Sequence, residues 1–516
     1  MKKVITLILA LAMLLSVSAF AEDERITISV MGIDWGYGPS ANSSMEQWWE
    51  DQFDVNLDIE WVNYNDYTEK ANLMMTSQSV PDVIQIYKTE GLYYYPIFTS
   101  AIDNGLFLDM TPYLFEDGLV EGNAVMSGWP QSMWDQATYN GGIYIVPRSK
   151  AEIAQQSGIT VRRDLMKKYG YEEEPTNMEE LKEWLINLSN DATEGEGYKI
   201  YALDFYGNII NNDRCTAFAV AFTGQEPWGY DEEGNPEYIA FDPNYINFLD
   251  WMKDLYDAGV LDPEFALGNS ETSKWKGGRS VAFLTAWYNW NQSADRVTNR
   301  IFDSNCPDEY ECWCILPVAG DNGIVINANS SDIDSCIAIS ARCAEDEAKM
   351  AKILEVFFCT EEVLPGYNNV MAYGVEGLHF YFDENGTRQK TDEQKAANTQ
   401  GYVGAWNQIF LKVDADQVAS KFMRAGASRA SDEAIERAYA IKDVLVAFQE
   451  ETGMAFSNQN KFSETYNTSW STLTADLNAN ATKYIMGEIT VDEWNAYVDS
   501  IVSSAEYQAI IADFAD

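Results

Sequence analysis

"RITISVMGIDWGYGPSANSSMEQWWEDQFDVNLDIEWV", residues Arg25 to Val62, carries the pattern that decides the fold. Apolar and polar residues alternate from Arg25 to Ile33, the period of a half-buried strand. A polar, glycine-rich break from Asp34 to Ser44 follows, then a helical run from Met45 to Phe53 and a second alternating stretch from Val55 to Val62. Outward from there, "YTEKANLMMTS" (Tyr67–Ser77) predicts a helix and "PDVIQIY" (Pro81–Tyr87) a third strand. Strands alternating with helices predict an α/β lobe with a largely parallel sheet. In open sheets of this kind, ligands gather at the carboxyl ends of the strands. Asp34, Trp35 and Tyr37 lie at and just past the end of the first strand, and Tyr87 ends the third.

The amino-terminal stretch "MKKVITLILALAMLLSVSAFAEDE" places two lysines before an apolar run and an A-x-A pattern at Ala19 and Ala21. This is the layout of a secretory signal peptide, residues 1–21, with cleavage expected after Ala21. Its apolar run, Val4–Leu15, is short of the roughly 20 residues that span a bilayer. No cysteine stands at the cleavage site, the first being Cys215, so a lipid tether is not expected. The expectation is an exported protein, periplasmic or extracellular and associated with the cell surface.

A chain of 516 residues exceeds what one hydrophobic core organises, so at least two lobes are expected. A formal charge of −47 repels nucleic-acid phosphates and anionic lipid, which disfavours both as partners. Seven cysteines is an odd number, so at least one thiol is unpaired or pairs between molecules. Three cluster in "CPDEYECWC" (Cys306–Cys314), where one small disulfide, a metal site or free thiols are all compatible with the spacing.

Further helices follow from the 3.6-residue period. "TNMEELKEWLINL" opens with Thr176 and has Glu179 three residues on, a capping-box pattern. "YINFLDWMKDLYDAG" carries Tyr245, Leu249, Met252 and Tyr256 on one face and stops at Gly259. "AEDEAKMAKILEVFF" does the same with Met350, Ile353, Leu354 and Phe357, and Thr490 and Glu493 repeat the capping box.

Enzyme motifs are scarce. One histidine, His379, rules out an H-E-x-x-H zinc site, and neither a G-x-S-x-G elbow nor a phosphate-binding P-loop occurs. "GYGPSA" (Gly36–Ala41) fits a dinucleotide fingerprint only loosely, with Pro39 interrupting it. His379 reads as a packed or capping histidine, and no cofactor or catalytic residue is expected.

At "RRDLMKKYGYEEEPTNMEELKEWL" (Arg162–Leu185) the sequence resembles the extracellular solute-binding proteins of bacterial ABC importers, family 1, in their carbohydrate branch. Further passages match in order: "YNGGIYIVPRS" (Tyr139–Ser149), "MKDLYDAGVLDPEFA" (Met252–Ala266), "WKGGRSVAFLTAWYNW" (Trp275–Trp290) and "KYIMGEITVDEWNAYVDSI" (Lys483–Ile501). "GVEGLHFYFDENG" (Gly374–Gly386) is similar to a signature of the Gram-positive, lipoprotein-like oligosaccharide-binding subgroup, whose members carry the lipid-modified cysteine that this sequence lacks. The resemblance implies a two-lobed type II periplasmic-binding-protein fold with a ligand cleft between the lobes. By analogy, lobe one covers about residues 22–155 and 318–366, and lobe two about 156–317 and 367–516. It also implies a monomer that captures a carbohydrate, closes over it by a hinge motion and delivers it to an ABC permease. A peptide or anionic metabolite on the same scaffold, or a secreted enzyme acting on polysaccharide, are the competing readings.

A sugar ring offers an apolar C–H face and an equator of hydroxyls, so its site needs aromatic rings beside polar side chains. "AWYNW" supplies both: Trp287, Tyr288, Asn289 and Trp290 follow a strand-like run, with Trp287 and Trp290 favoured as ligand contacts. Trp35, Tyr37, Tyr87 and Asp34 rank next on lobe one, and Arg148, after the crossover proline, is a candidate clamp. Trp129, Trp228 and Trp406 lie in loop-like contexts that could extend a long cleft.

Overall fold

The computed structural model describes residues 25–515 except 35–39, 88–92, 130, 150–156, 206–207, 211–212, 226, 232, 268–272, 288–289, 291–305, 308, 322–332, 385–387, 401–405, 407, 412–417, 419–429 and 453–462. The two main sheets are built from β1 (Ile26–Asp34), β2 (Val55–Asn63), β3 (Val83–Ile86), β4 (Val146–Ser149), β5 (Ser157–Arg162), β6 (Tyr201–Asp204), β7 (Ser280–Ala286), β8 (Cys312–Cys314) and β9 (Ile333–Ile339). The helices that matter below are α1 (Ser44–Phe53), α2 (Tyr64–Thr76), α3 (Met178–Glu196), α4 (Tyr245–Asp257), α5 (Glu347–Phe357) and α6 (Asp432–Thr452).

The first sheet runs β2-β1-β3-β9-β4. β1 pairs in parallel with β2 and β3, and β9 lies antiparallel between β3 and β4. The second sheet runs β8-β5-β7-β6, with β7 parallel to β6 and antiparallel to β5. Each sheet has its own apolar core. One gathers residues from Ile28 to Val146, Ile333 to Met371 and Trp406 to Leu411; the other gathers Ile159 to Val318 and Val418 to Phe514. Two cores joined by several chain crossings are what a chain of this length needs to keep its apolar side chains within reach of a packed interior.

The expected switch to the second lobe at residue 367 falls too early. Tyr367, Met371, Trp406, Ile409 and Leu411 all pack in the first core. Gly32 in β1 explains how: a Cβ there would stand 2.6 Å from Ile409 and 2.7 Å from Trp61, so the bare backbone lets the Trp406–Leu411 segment lie on the strand. The α3 cap also shifts by one residue. Asn177, not Thr176, accepts the Glu180 amide, while the Glu180 carboxylate reaches back to the Thr176 amide and hydroxyl. The Thr490–Glu493 capping box forms as its spacing predicts.

The amino-terminal end of β3 is locked electrostatically. Asp82, buried, accepts the Ser29 amide and pairs with Arg342 (2.9 Å) and with Lys349 of α5 (3.1 Å). Burial alone would raise its pKa, but the Ser29 amide, Lys349 and Arg342 outweigh it and hold the carboxyl at about 2. In the Cys306–Cys314 cluster, Cys312 and Cys314 are buried strand residues of β8, and the half-buried Cys306 thiol lies 3.2 Å from the Lys276 carbonyl. Among the described residues no group of side chains could hold a metal ion, and no helix is long and apolar enough to cross a membrane.

Candidate functional site

The site follows from how the sheets are joined. β4 ends at Ser149 opposite Ile333, at the same edge where β1 ends at Asp34 and β3 runs into Tyr87. β5 starts at Ser157 opposite Ala286, the carboxyl end of β7. The chain from Ser149 to Ser157 spans no more than about 28 Å fully extended. Returning, β8 ends at Cys314 opposite Thr160, and β9 starts at Ile333. Both crossings therefore join the carboxyl edge of one sheet to the carboxyl edge of the other. The space between those edges is where a ligand of an α/β fold belongs.

On the first edge, Tyr87 is 40% exposed and Asp34 is half-buried at the end of β1. Beneath them lies a polar lattice. Gln85, buried in β3, accepts the Ile33 amide (2.9 Å) and donates to the Gln408 side-chain carbonyl (2.9 Å). The Gln408 backbone carbonyl accepts from the Ser335 hydroxyl (2.5 Å). Tyr67 of α2 donates to the Gln85 backbone carbonyl (2.6 Å). The lattice ties β1, β3, β9 and the Trp406–Leu411 segment together and brings the half-buried Gln408 to the edge. The start of α1 is fixed by Ser43, whose hydroxyl accepts the Glu46 amide. His379 lies 3.0 Å from the Ser44 hydroxyl through Nε2, while its Nδ1 accepts the Val375 amide. With Nδ1 an acceptor, the ring is neutral and Nε2 carries the hydrogen, and burial holds its pKa below the ordinary value. It is a packed histidine, as its sequence context suggests.

On the second edge, Asp204 ends β6 and accepts the Trp275 amide (2.7 Å). Burial pushes its carboxyl up to about 6, an effect only partly offset by the Trp275 and Phe205 amides.

Three expected ligand contacts are corrected. Arg148 is wholly buried: Nε donates to the Ile409 carbonyl (2.9 Å), Nη1 to Pro147 (2.9 Å) and Nη2 to Phe357 (3.2 Å), with the Phe358 ring 5.2 Å away. Burial lowers its pKa to about 10. Its donors are turned inward onto backbone carbonyls, so it clamps the end of α5 to the Trp406–Leu411 segment and not a guest. Trp287 and Trp290 are 1% and 2% exposed and belong to the second core. Gly158 draws Trp287 inward, because a Cβ there would come within 2.7 Å of the Trp287 Cα. Trp290 packs edge-on against Trp313 at 5.1 Å. Trp35, Tyr37, Tyr288 and Asn289 lie outside the described residues. Trp406 is buried and stacked on Phe410, and Trp228 sits among Tyr238, Trp470 and Phe514 in the second core. Gln85, Gln408 and Asp204 escape sequence reasoning, although a glutamine inside the apolar run "VIQI" is the signal that flags the first.

Two α/β lobes with facing carboxyl edges and several crossings define a two-lobed binding protein of the type II periplasmic kind. The family description "Bacterial extracellular solute-binding protein" matches residues 36–342. The chain belongs to this family. It is similar to the lipoprotein LipO of Bacillus subtilis (strain 168), 24% identical over 229 residues, 42% of this chain and 41% of that one. The match thus spans about two fifths of that relative's length. Among solved structures, an extracellular solute-binding protein from Bifidobacterium longum subsp. infantis superposes with a TM-score of 0.67 at 13% identity, covering 96% of this chain and 99% of the other. The S. pneumoniae ABC-transporter substrate-binding protein FusA in complex with kestose gives 0.63 at 16% identity, over 95% and 98%.

Proposed function

We propose that this protein is the extracytoplasmic receptor of an ABC importer, capturing an oligosaccharide between its lobes and presenting the closed form to the permease. The observation that carries this reading is the pair of facing carboxyl edges, one of them bearing an exposed tyrosine and Asp34 above the Gln85–Gln408 lattice. That edge offers an aromatic face and neutral or anionic acceptors, the groups that a hydroxyl-rich, uncharged guest requires. Family membership and a similar fold that holds kestose support a carbohydrate over a peptide or metabolite. Tyr87 and Asp34, with Trp35, Tyr37, Tyr288 and Asn289, are the contacts we assign to the guest. We put the lobe boundary of the carboxyl-terminal half after Leu411, a reading supported by the change of core membership between Leu411 and Val418. The chemistry of the step is capture alone: differential affinity for the closed form drives closure.

A thermal-shift screen over oligosaccharides of differing linkage tests this. The matching sugar raises the melting temperature in a concentration-dependent way, because it binds only the native state. Folded protein that responds to no glycan but is stabilised by peptides or organic acids would overturn the carbohydrate assignment.

A further inference from the structure

A cavity of about 400 Å³ opens where Gly128 and Trp129 face Thr360, Glu361, Glu362 and Asn368. Its place in the fold is set by two hydrogen bonds. Arg148 in β4 holds the carbonyl of Phe357, the last residue of α5, and Asn123 donates to the Phe358 carbonyl (3.0 Å). Both walls are thus pinned to the first lobe, one through β4 and the end of α5, the other through Asn123.

The walls differ in chemistry. Trp129 is half-buried, with its ring 5.3 Å from that of the buried Trp134, which meets Phe115 edge-on at 5.3 Å. A ring supported from behind in this way is a rigid platform that loses little entropy when covered. The opposite wall offers acceptors. Glu361 is committed to the backbone, accepting the Gly366 (2.7 Å) and Asn368 (2.9 Å) amides. Glu362 is exposed, and the Asn368 side-chain carbonyl is screened from solvent without a hydrogen-bond partner among the described residues. None of the lining residues is basic.

An aromatic face opposite acceptors, with no cation, selects a group having an apolar C–H face and outward O–H donors, and repels carboxylates and phosphates. We propose that this cavity is a subsite for one neutral glycosyl unit of the guest. Trp129 covers its C–H face, and Glu362 accepts hydrogen bonds from its hydroxyls. The proposal rests on the carbohydrate reading above and extends it from the interlobe edge to a second contact on lobe one.

The test uses the full chain labelled with 5-fluorotryptophan, with the Trp129 fluorine resonance assigned by its loss in Trp129→Phe. Neutral di- to pentasaccharides and their uronate-ended counterparts are titrated in. The expected result is that a neutral glycan that raises the melting temperature also shifts the Trp129 resonance saturably, while uronate-ended forms do not. Trp129→Ala weakens that glycan about ten-fold. Glu362→Gln, at an exposed position that leaves packing intact, weakens it about three-fold. A stabilising glycan that leaves the Trp129 resonance unmoved, or a uronate that moves it equally, overturns the subsite while the carbohydrate reading stands. Failure of every glycan to move either signal overturns both.

Discussion

β3 and β7 both run into an aromatic residue at their carboxyl ends, yet Tyr87 stays 40% exposed and Trp287 only 1%. What differs is the neighbourhood. Beyond β3 the sheet is backed by a polar lattice, Gln85 to Gln408 to Ser335, which fills the edge with hydrogen bonds and leaves the tyrosine on top. Beyond β7 the chain turns onto Gly158 and lies beside Cys314, Ile315 and Ile441 of α6, so the indole is covered from a segment far away in sequence. An aromatic at a strand end is therefore a binding candidate only where nothing else arrives to cover it.

The contrast is strongest as a statement about stability. Trp287→Ala empties a packed site and is expected to cost about 3–5 kcal/mol in urea unfolding. An exposed ligand-stacking ring would cost far less, so a loss within about 0.5 kcal/mol would return Trp287 to the surface. Arg148→Met comes next, at about 3 kcal/mol, since three buried carbonyls lose their donor. The variant keeps its sugar affinity once folded; a selective loss of binding with stability unchanged would restore the clamp.

Asp82→Asn probes the opposite end of the first sheet. Its folded pKa of about 2 lies below the ordinary carboxyl value. The stabilisation is thus fully present above about pH 4 and is lost as pH falls toward 2. At pH 7 the variant is expected to be about 2 kcal/mol less stable than the parent, with the gap closing across that acid window. A gap that persists unchanged at pH 2 would show that the ion pairs contribute nothing. The smallest effect belongs to Tyr87→Ala. Its stability stays within about 0.5 kcal/mol, while affinity for the stabilising glycan falls about five-fold. Equal affinity of parent and variant by titration calorimetry would remove Tyr87 from the site.

Much of the fold was legible because its signals are local. Ile26–Asp34 and Val55–Asn63 alternate in sequence and form paired parallel strands, and Thr490 with Glu493 caps a helix within one turn. Even the misreading at α3 is a one-residue slip between two adjacent capping residues, Thr176 and Asn177. The site was legible only in outline. Strand order predicts that Asp34 and Tyr87 lie at the carboxyl ends of their strands, as they do, but Arg148 could not be recognised as an internal clamp, because its partners Phe357 and Ile409 lie more than 200 residues away. Gln408 reaches Gln85 across 323 residues of sequence.

The sequence by itself determined the alternation of strands and helices, the need for more than one core and the acidic surface, since each depends on neighbouring residues or on sums over the chain. Tertiary structure alone decided which aromatics and charges face solvent. Exposure is settled by whatever segment packs on top, and that segment answers to the whole fold rather than to the residues beside it.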